Sequence, residues 1–294
     1  RAASAGAGGK TTGAAAPASP RYRTHTVDPM PGRGDFHTLA AAIAAAAAGD
    51  RIVVREGVYR ESLRLSTPLE ILGEGARERI VVTAAEGAAL HCDAPMARLS
   101  GLTFRRESGG GHCTVWITAG AAEIEDCAFE SRSLACVAVE GAGTAPVLRR
   151  CVARDGAEGG FFFFDSAGGR LEACEAHGNA FSGVEIKTGA APTLRDCALR
   201  DNRGSGALVS KGGRGRFEGC RIERNGGAGI EVPEGGAPEV VGGVITGNGG
   251  EAVWIVDAES GGSFTGVDLR GNDGGAWRIA EGAEANLTRR DDLE

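Results

Sequence analysis

Residues 194–232 read LRDCALRDNRGSGALVSKGGRGRFEGCRIERNGGAGIEV, and one pattern occurs twice in them, 23 residues apart. It runs Leu194-x-x-Cys197-x-Leu199-x-x-Asn202 and then Phe217-x-x-Cys220-x-Ile222-x-x-Asn225. Outward from this stretch the same spacing persists. Cys127, Cys151, Cys174, Cys197 and Cys220 follow one another at intervals of 24, 23, 23 and 23 residues. Leu102 precedes this column, and Gly243 and Val267 continue it. Three residues before each member stands an apolar side chain: Leu99, Ile124, Leu148, Leu171, Leu194, Phe217, Val240 and Phe264. Two residues after comes another column, Phe104, Phe129, Ala153, Ala176, Leu199, Ile222, Ile245 and Leu269. Five residues after stand Asn179, Asn202, Asn225, Asn248 and Asn272, each followed by a glycine-led strand such as Gly183-Val184-Glu185-Ile186.

A fixed period of this size means stacked units, none of which buries its apolar face alone. Helical repeats need about 33 residues or more. Here short alternating segments are broken by Gly and Asn, which reads as strand–turn–strand. Leucine is too sparse for a leucine-rich repeat. The reading that fits is an all-β, right-handed parallel β-helix of about 23 residues per coil, with neighbouring coils about 4.8 Å apart. Each column then becomes a ladder along the axis. The cysteines form a stack of small apolar side chains rather than a disulfide framework, and free thiols suit a reducing, cytoplasmic location. The asparagines are expected in left-handed turns, with side chains bonded from coil to coil.

Composition agrees. The chain has 294 residues, is 42% hydrophobic and only 5% aromatic, so the core must be aliphatic. Glycine reaches 49 residues without a G-X-Y period, which excludes collagen and points to many turns. Net charge is −7 with both signs mixed and no basic stripe, which argues against nucleic acid. No apolar run approaches 18 residues, which argues against a membrane span. Residues 1–22, Ala/Gly/Ser/Pro-rich, read as a disordered linker, and 23–290 as the β-helix domain. An Ala-rich helix from Asp35, its expected N-cap, to Gly49, its expected stop, would cap the rod, with Leu39 and Ile43 on the core.

The stretch from Phe36 to Gly75, with GDRIVVREGVYRESLRL (49–65) and LEILGEG (69–75), resembles the start of pectin-lyase-like β-helix proteins. The units Cys197–Asn202 and Cys220–Asn225 resemble the repeats of carbohydrate-binding and sugar-hydrolase β-helices. The resemblance covers roughly residues 25–285 and implies fold more than activity, because that superfamily holds lyases, epimerases, esterases and non-enzymatic modules. It also implies a bacterial source. The WIDH-type strand and RxPxxR segment of pectate-lyase-like enzymes are absent, and the uniform coils leave little room for long loops.

Alternation on the glycine-led strands sends Val184 and Ile186 inward and Glu185 and Lys187 outward. Carried along by the period, this gives an outward row Trp116, Ala138, Phe162, Glu185, Leu208, Glu231, Trp254 and Arg278. A second row holds Thr118, Glu140, Phe164, Lys187, Ser210, Pro233 and Val256. An aromatic strip on an outward face marks an interaction surface. Trp116, Phe162, Phe164, Asp165 and Trp254 are therefore the candidate ligand- or partner-binding residues of a module for a carbohydrate, peptide or protein. The alternative is a polysaccharide lyase, epimerase or hydrolase using Glu185, Lys187 and Glu231. The two carboxylates lie two coils apart, and inverting glycosidases hold theirs at about 6.5–9.5 Å. His91-Cys92 and His112-Cys113 lack zinc-ligand spacing, and parity sends Cys113 inward, so no metal is expected. No nucleotide or dinucleotide fingerprint occurs in its required context, so no cofactor is expected.

Overall fold

The computed structural model describes residues 22–294; the linker expected over 1–22 lies outside the described residues except for Tyr22. Among the described residues the strands form three sheets of 12, 10 and 9 members. Every pairing is parallel, and each strand's neighbour is its counterpart one coil away. The chain therefore winds around one axis, visiting each sheet once per coil. Twelve stacked strands give a rod on the order of 50 Å long.

The columns read from the sequence are the core. Leu148, Leu171, Leu194 and Phe217 face inward in register from the 12-stranded sheet. Ala153, Ala176, Leu199 and Ile222 do so from the nine-stranded sheet. Full burial of a Leu, Ile or Phe contributes roughly 1.5–3 kcal/mol. The cysteine column sits at the corner between these sheets, and all eight cysteines are free. From Cys151 onward each thiol of the column donates to a carbonyl of the preceding coil: Cys174 to Leu148 at 3.4 Å, Cys197 to Leu171 at 3.4 Å, Cys220 to Leu194 at 3.5 Å. Burial pushes the Cys127 thiol up to about 12.

The asparagine side chains, buried from Asn179 to Asn248 and half-buried at Asn272, form a continuous ladder. The Nδ2 groups of Asn179, Asn202, Asn225 and Asn248 donate to the next asparagine's Oδ1 at 2.8, 2.9, 2.9 and 2.8 Å. They are not themselves the left-handed residues. Positive φ falls one position earlier, at Gly178, Asp201, Arg224, Gly247 and Gly271. That preceding residue makes the corner and leaves the Asn free to turn its amide inward.

The N-terminal cap departs from the sequence expectation. The helix is shorter, Leu39–Ala45, and its N-cap is Thr38, whose Oγ1 accepts from the Ala41 amide at 3.2 Å. Asp35 instead accepts from the amide and hydroxyl of Thr26, both at 2.8 Å. Glu61 fastens the helix start by accepting from the Leu39 and Ala40 amides at 2.9 and 2.8 Å. The helix stops at Ala46, which turns extended, because Asp50 captures the next amide, Ala47, at 2.9 Å. Leu39 is buried and Ile43 packs partly against the core, as their spacing required.

Candidate functional site

Two of the three outer faces are covered by paired charges. On the 12-stranded sheet Arg51 meets Glu70, Arg98 meets Glu123, Arg149 meets Glu172 and Arg195 meets Glu218, at 2.6 to 3.0 Å. On the nine-stranded sheet Glu130 takes both Arg105 and Arg154. The third face, on the ten-stranded sheet, differs. Its register stacks Arg64, His91, Trp116, Ala138, Phe162, Glu185, Leu208, Glu231, Trp254 and Arg278 in one row. Phe164 pairs with Glu140 in the second row.

Within the run of four phenylalanines, Phe161 and Phe163 are buried in the core. Phe162 and Phe164 face out, half-buried, with ring centroids 4.5 Å apart. Two coils towards the N-terminus stands Trp116. His91 stacks on one side of it at 5.0 Å, and its indole Nε1 donates to Glu140 at 2.9 Å. His91 is held in turn against Thr118 at 2.9 Å. The coil between Trp116 and Phe162 contributes only Ala138, which is itself buried, so a slot with a closed floor lies there, with about 10 Å between its flanking backbones. Because His91 covers the indole from the preceding coil, the other indole face looks into the slot.

The slot has a side wall that strand alternation did not reveal. The turn before each strand places His112, Leu134, Glu158 and Phe181 at equivalent positions, and then Gly204, Gly227, Gly250 and Gly274. Side chains wall the N-terminal half of the face, whereas glycines leave the rest flat. The resulting groove of about 330 Å³ is lined by His112, Cys113, Trp116, Leu134, Phe162 and Phe164, among others. Phe181 stands on the wall column with 58% of its surface exposed. Cys113, expected inside by parity, is half-buried and lines the groove. It lies in the turn two residues before the strand Val115–Ile117, where alternation does not operate. The wall was legible in principle, since a glycine recurring every 23 or 24 residues from Gly204 onward is replaced by larger residues in the earlier coils.

Beyond Phe162 the row turns charged. Lys187 Nζ lies 2.5 Å from Glu185 Oε2 and 5.3 Å from the Phe162 ring centroid. A Cβ at Gly159 would come within 2.9 Å of Glu185 Oε1, so glycine there makes room for the carboxylate. Leu208 separates Glu185 from Glu231, whose Oε2 accepts from the buried Ser205 hydroxyl at 2.7 Å. Trp254 lies one coil further on, with the Arg278 guanidinium 4.6 Å over its ring. Asp165 is exposed on a left-handed turn at the edge of the face. The residues singled out in the sequence thus separate. Trp116, Phe162 and Phe164 form one groove with Glu185 and Lys187 at its end. Glu231 and Trp254 form a second patch, Trp254 about 19 Å from Phe162 along the axis. Among the described residues, no group of three or more His, Cys, Asp and Glu is placed to hold a metal ion. No helix among them is long and apolar enough to cross a membrane.

No curated protein matches the chain. Solved structures share its fold at low sequence identity. A pectate lyase, Pel9A, superposes with a TM-score of 0.72 at 13% identity, covering 92% of this chain and 79% of the other. The A-module of the mannuronan C-5 epimerase AlgE4 of Azotobacter vinelandii gives 0.60 at 16% identity, covering 86% and 82%. The pectin methylesterase PemA from Erwinia chrysanthemi gives 0.53 at 15%, covering 71% and 81%. At such identities the likeness concerns the fold alone. The family model for a right-handed β-helix region matches residues 88–245, just over half of the chain, and the protein belongs to that family.

Proposed function

We propose that this protein engages a polysaccharide through the outer face of the ten-stranded sheet, with a sugar ring seated in the slot between Trp116 and Phe162. The observation that carries this reading is the slot itself: two aromatic side chains two coils apart over Ala138, walled by His112, Leu134 and Glu158. Flat aromatic surface takes the apolar face of a sugar ring, and the carboxylates and imidazole around it reach its hydroxyls. The other two faces offer paired charges instead. The polysaccharide-active names of the structural neighbours are consistent with this ligand class.

Turnover is a second reading, favoured by those same names and by the Glu185–Lys187 pair at the groove's end. That pair offers a carboxylate and an ammonium to one ring, the elements of general acid–base work. Glu231, about 10 Å further along the backbone stack, is the candidate second carboxylate. Titration calorimetry with neutral, amino-sugar and uronate oligosaccharides tests binding, and product analysis on the same panel tests turnover. Trp116→Ala is expected to weaken glycan binding at least tenfold. Glu185→Gln should abolish any turnover while leaving binding within a few-fold. Wild-type protein that ignores every glycan, or Trp116→Ala binding as well as wild type, would remove this reading.

A further inference from the structure

Three carboxylates stand around the slot. Glu140 is fixed on the Trp116 indole, Glu158 lines the wall, and Glu185 lies at the Phe162 end. Two cations stand near them: Lys187 is already engaged by Glu185, and the buried Arg106 guanidinium is turned to the Gly87 and Gly109 carbonyls. Arg64, at the N-terminal end of the same row, is held by Ser66 and Asp93. The paired arginines of the other two faces point elsewhere around the rod. The slot therefore presents excess negative charge beside aromatic rings, on a chain whose net charge is −7. Burial holds the Cys113 thiol inside the groove at about 11, with Glu158 and Glu140 raising it and the Ala135 hydrogen bond and Arg106 lowering it.

A polyuronate brings a carboxylate on each ring and would meet this field as repulsion. An ammonium would meet carboxylates and ring faces together, the two features that attract organic cations. We infer that the glycan this groove takes carries protonated amines, a polymer of 2-amino-2-deoxy sugars, and not uronates. This inference rests on the polysaccharide reading above and narrows it.

The test uses the full chain at pH 6 with four probes: glucosamine oligomers, their fully N-acetylated equivalents, oligogalacturonate and a lysine-rich peptide. The glucosamine oligomer should bind at least fivefold more tightly than the acetylated one, with a preference that fades between 0.05 and 0.5 M salt. Glu158→Gln should reduce that preference about threefold, weakening the amine oligomer more than the acetylated one. Oligogalacturonate should not compete. Equal binding of the amine and acetylated oligomers, or preferential binding of oligogalacturonate, overturns the charge selection and leaves the polysaccharide reading standing. Binding of the peptide with no glycan bound overturns both.

Discussion

At the scale of single residues, the ladders were legible because each asks for one side-chain chemistry at one position. Cysteine fits the corner as a small apolar group with a weak donor for the carbonyl of the coil before. Asparagine fits the turn because it donates and accepts at once, so every amide serves the rung on either side. The left-handed corner was not legible, because glycine, aspartate, arginine and alanine all occupy it. The position before the cysteine column has positive φ at Gly101, Asp126, Arg150, Ala173, Asp196, Gly219, Gly242 and Gly266. Of these, Ala173 is the instructive one. Arg150 is held by Glu125 and Asp126, whereas Ala173 is an exposed methyl with no such compensation at φ +51°. A Cβ in this region costs roughly 1–2 kcal/mol. Glycine would remove that cost but enlarge the freedom of the unfolded chain by about 0.4–1 kcal/mol. The first term is larger, so Ala173→Gly should stabilise the protein by about 0.5–1 kcal/mol in denaturant titration. A destabilised variant would mean that the corner carries no strain.

At the scale of elements, strands were read more accurately than the cap. A strand's partner is its own repeat, so period and alternation fix it, as the inward Phe161 and Phe163 and outward Phe162 and Phe164 show. A cap has no repeat to check against. Its alanines suggested a longer helix than the Leu39–Ala45 turn that forms, since what ends it is a carboxylate acting across the chain. Asp50 accepts from the Arg23 amide at 2.8 Å, the Ala47 amide at 2.9 Å and His25 at 3.2 Å. The amide bonds chiefly, and then His25, hold its carboxyl below the usual carboxylate range. A depressed carboxyl contributes stability that is complete above the ordinary range and is lost as pH falls through the depressed value. The difference in melting temperature between wild type and Asp50→Asn should therefore be widest at pH 7 and close progressively below pH 4. A gap as wide at pH 3 as at pH 7 would show that Asp50 does not hold the cap through its charge.

At the scale of the whole molecule, the rod is quasi-one-dimensional, because strand pairing joins each coil only to the coils on either side. Two halves with different interiors meet in it. The N-terminal half stacks large rings, with Phe104 and Phe129 6.0 Å apart and Phe161 and Phe163 beside them in the core. The C-terminal half is threaded by the asparagine ladder from Asn179 to Asn272. The groove lies in the first half, where the turns carry side chains instead of glycine, and period alone does not locate it, since a turn column needs the register to be read across the face. The division has a consequence for unfolding. Asn225 receives the Asn202 amide and Nδ2 and itself donates to the Leu199 carbonyl and Asn248. Its removal leaves several buried groups unpaired at about 1–3 kcal/mol each. In a solenoid such a mid-rod loss is not shared by distant coils, so Asn225→Ala should separate the halves. Single-tryptophan chains provide the readout, since Trp116 reports on the first half and Trp254 on the second. In Asn225→Ala the Trp254 transition should fall to lower urea while the Trp116 transition stays near its wild-type midpoint. Asn272→Ala, at the last rung, should leave the Trp116 midpoint unmoved and shift Trp254 less. Coincident Trp116 and Trp254 curves in Asn225→Ala would mean that coupling runs the length of the rod, and that nearest-neighbour stacking does not describe how it is held.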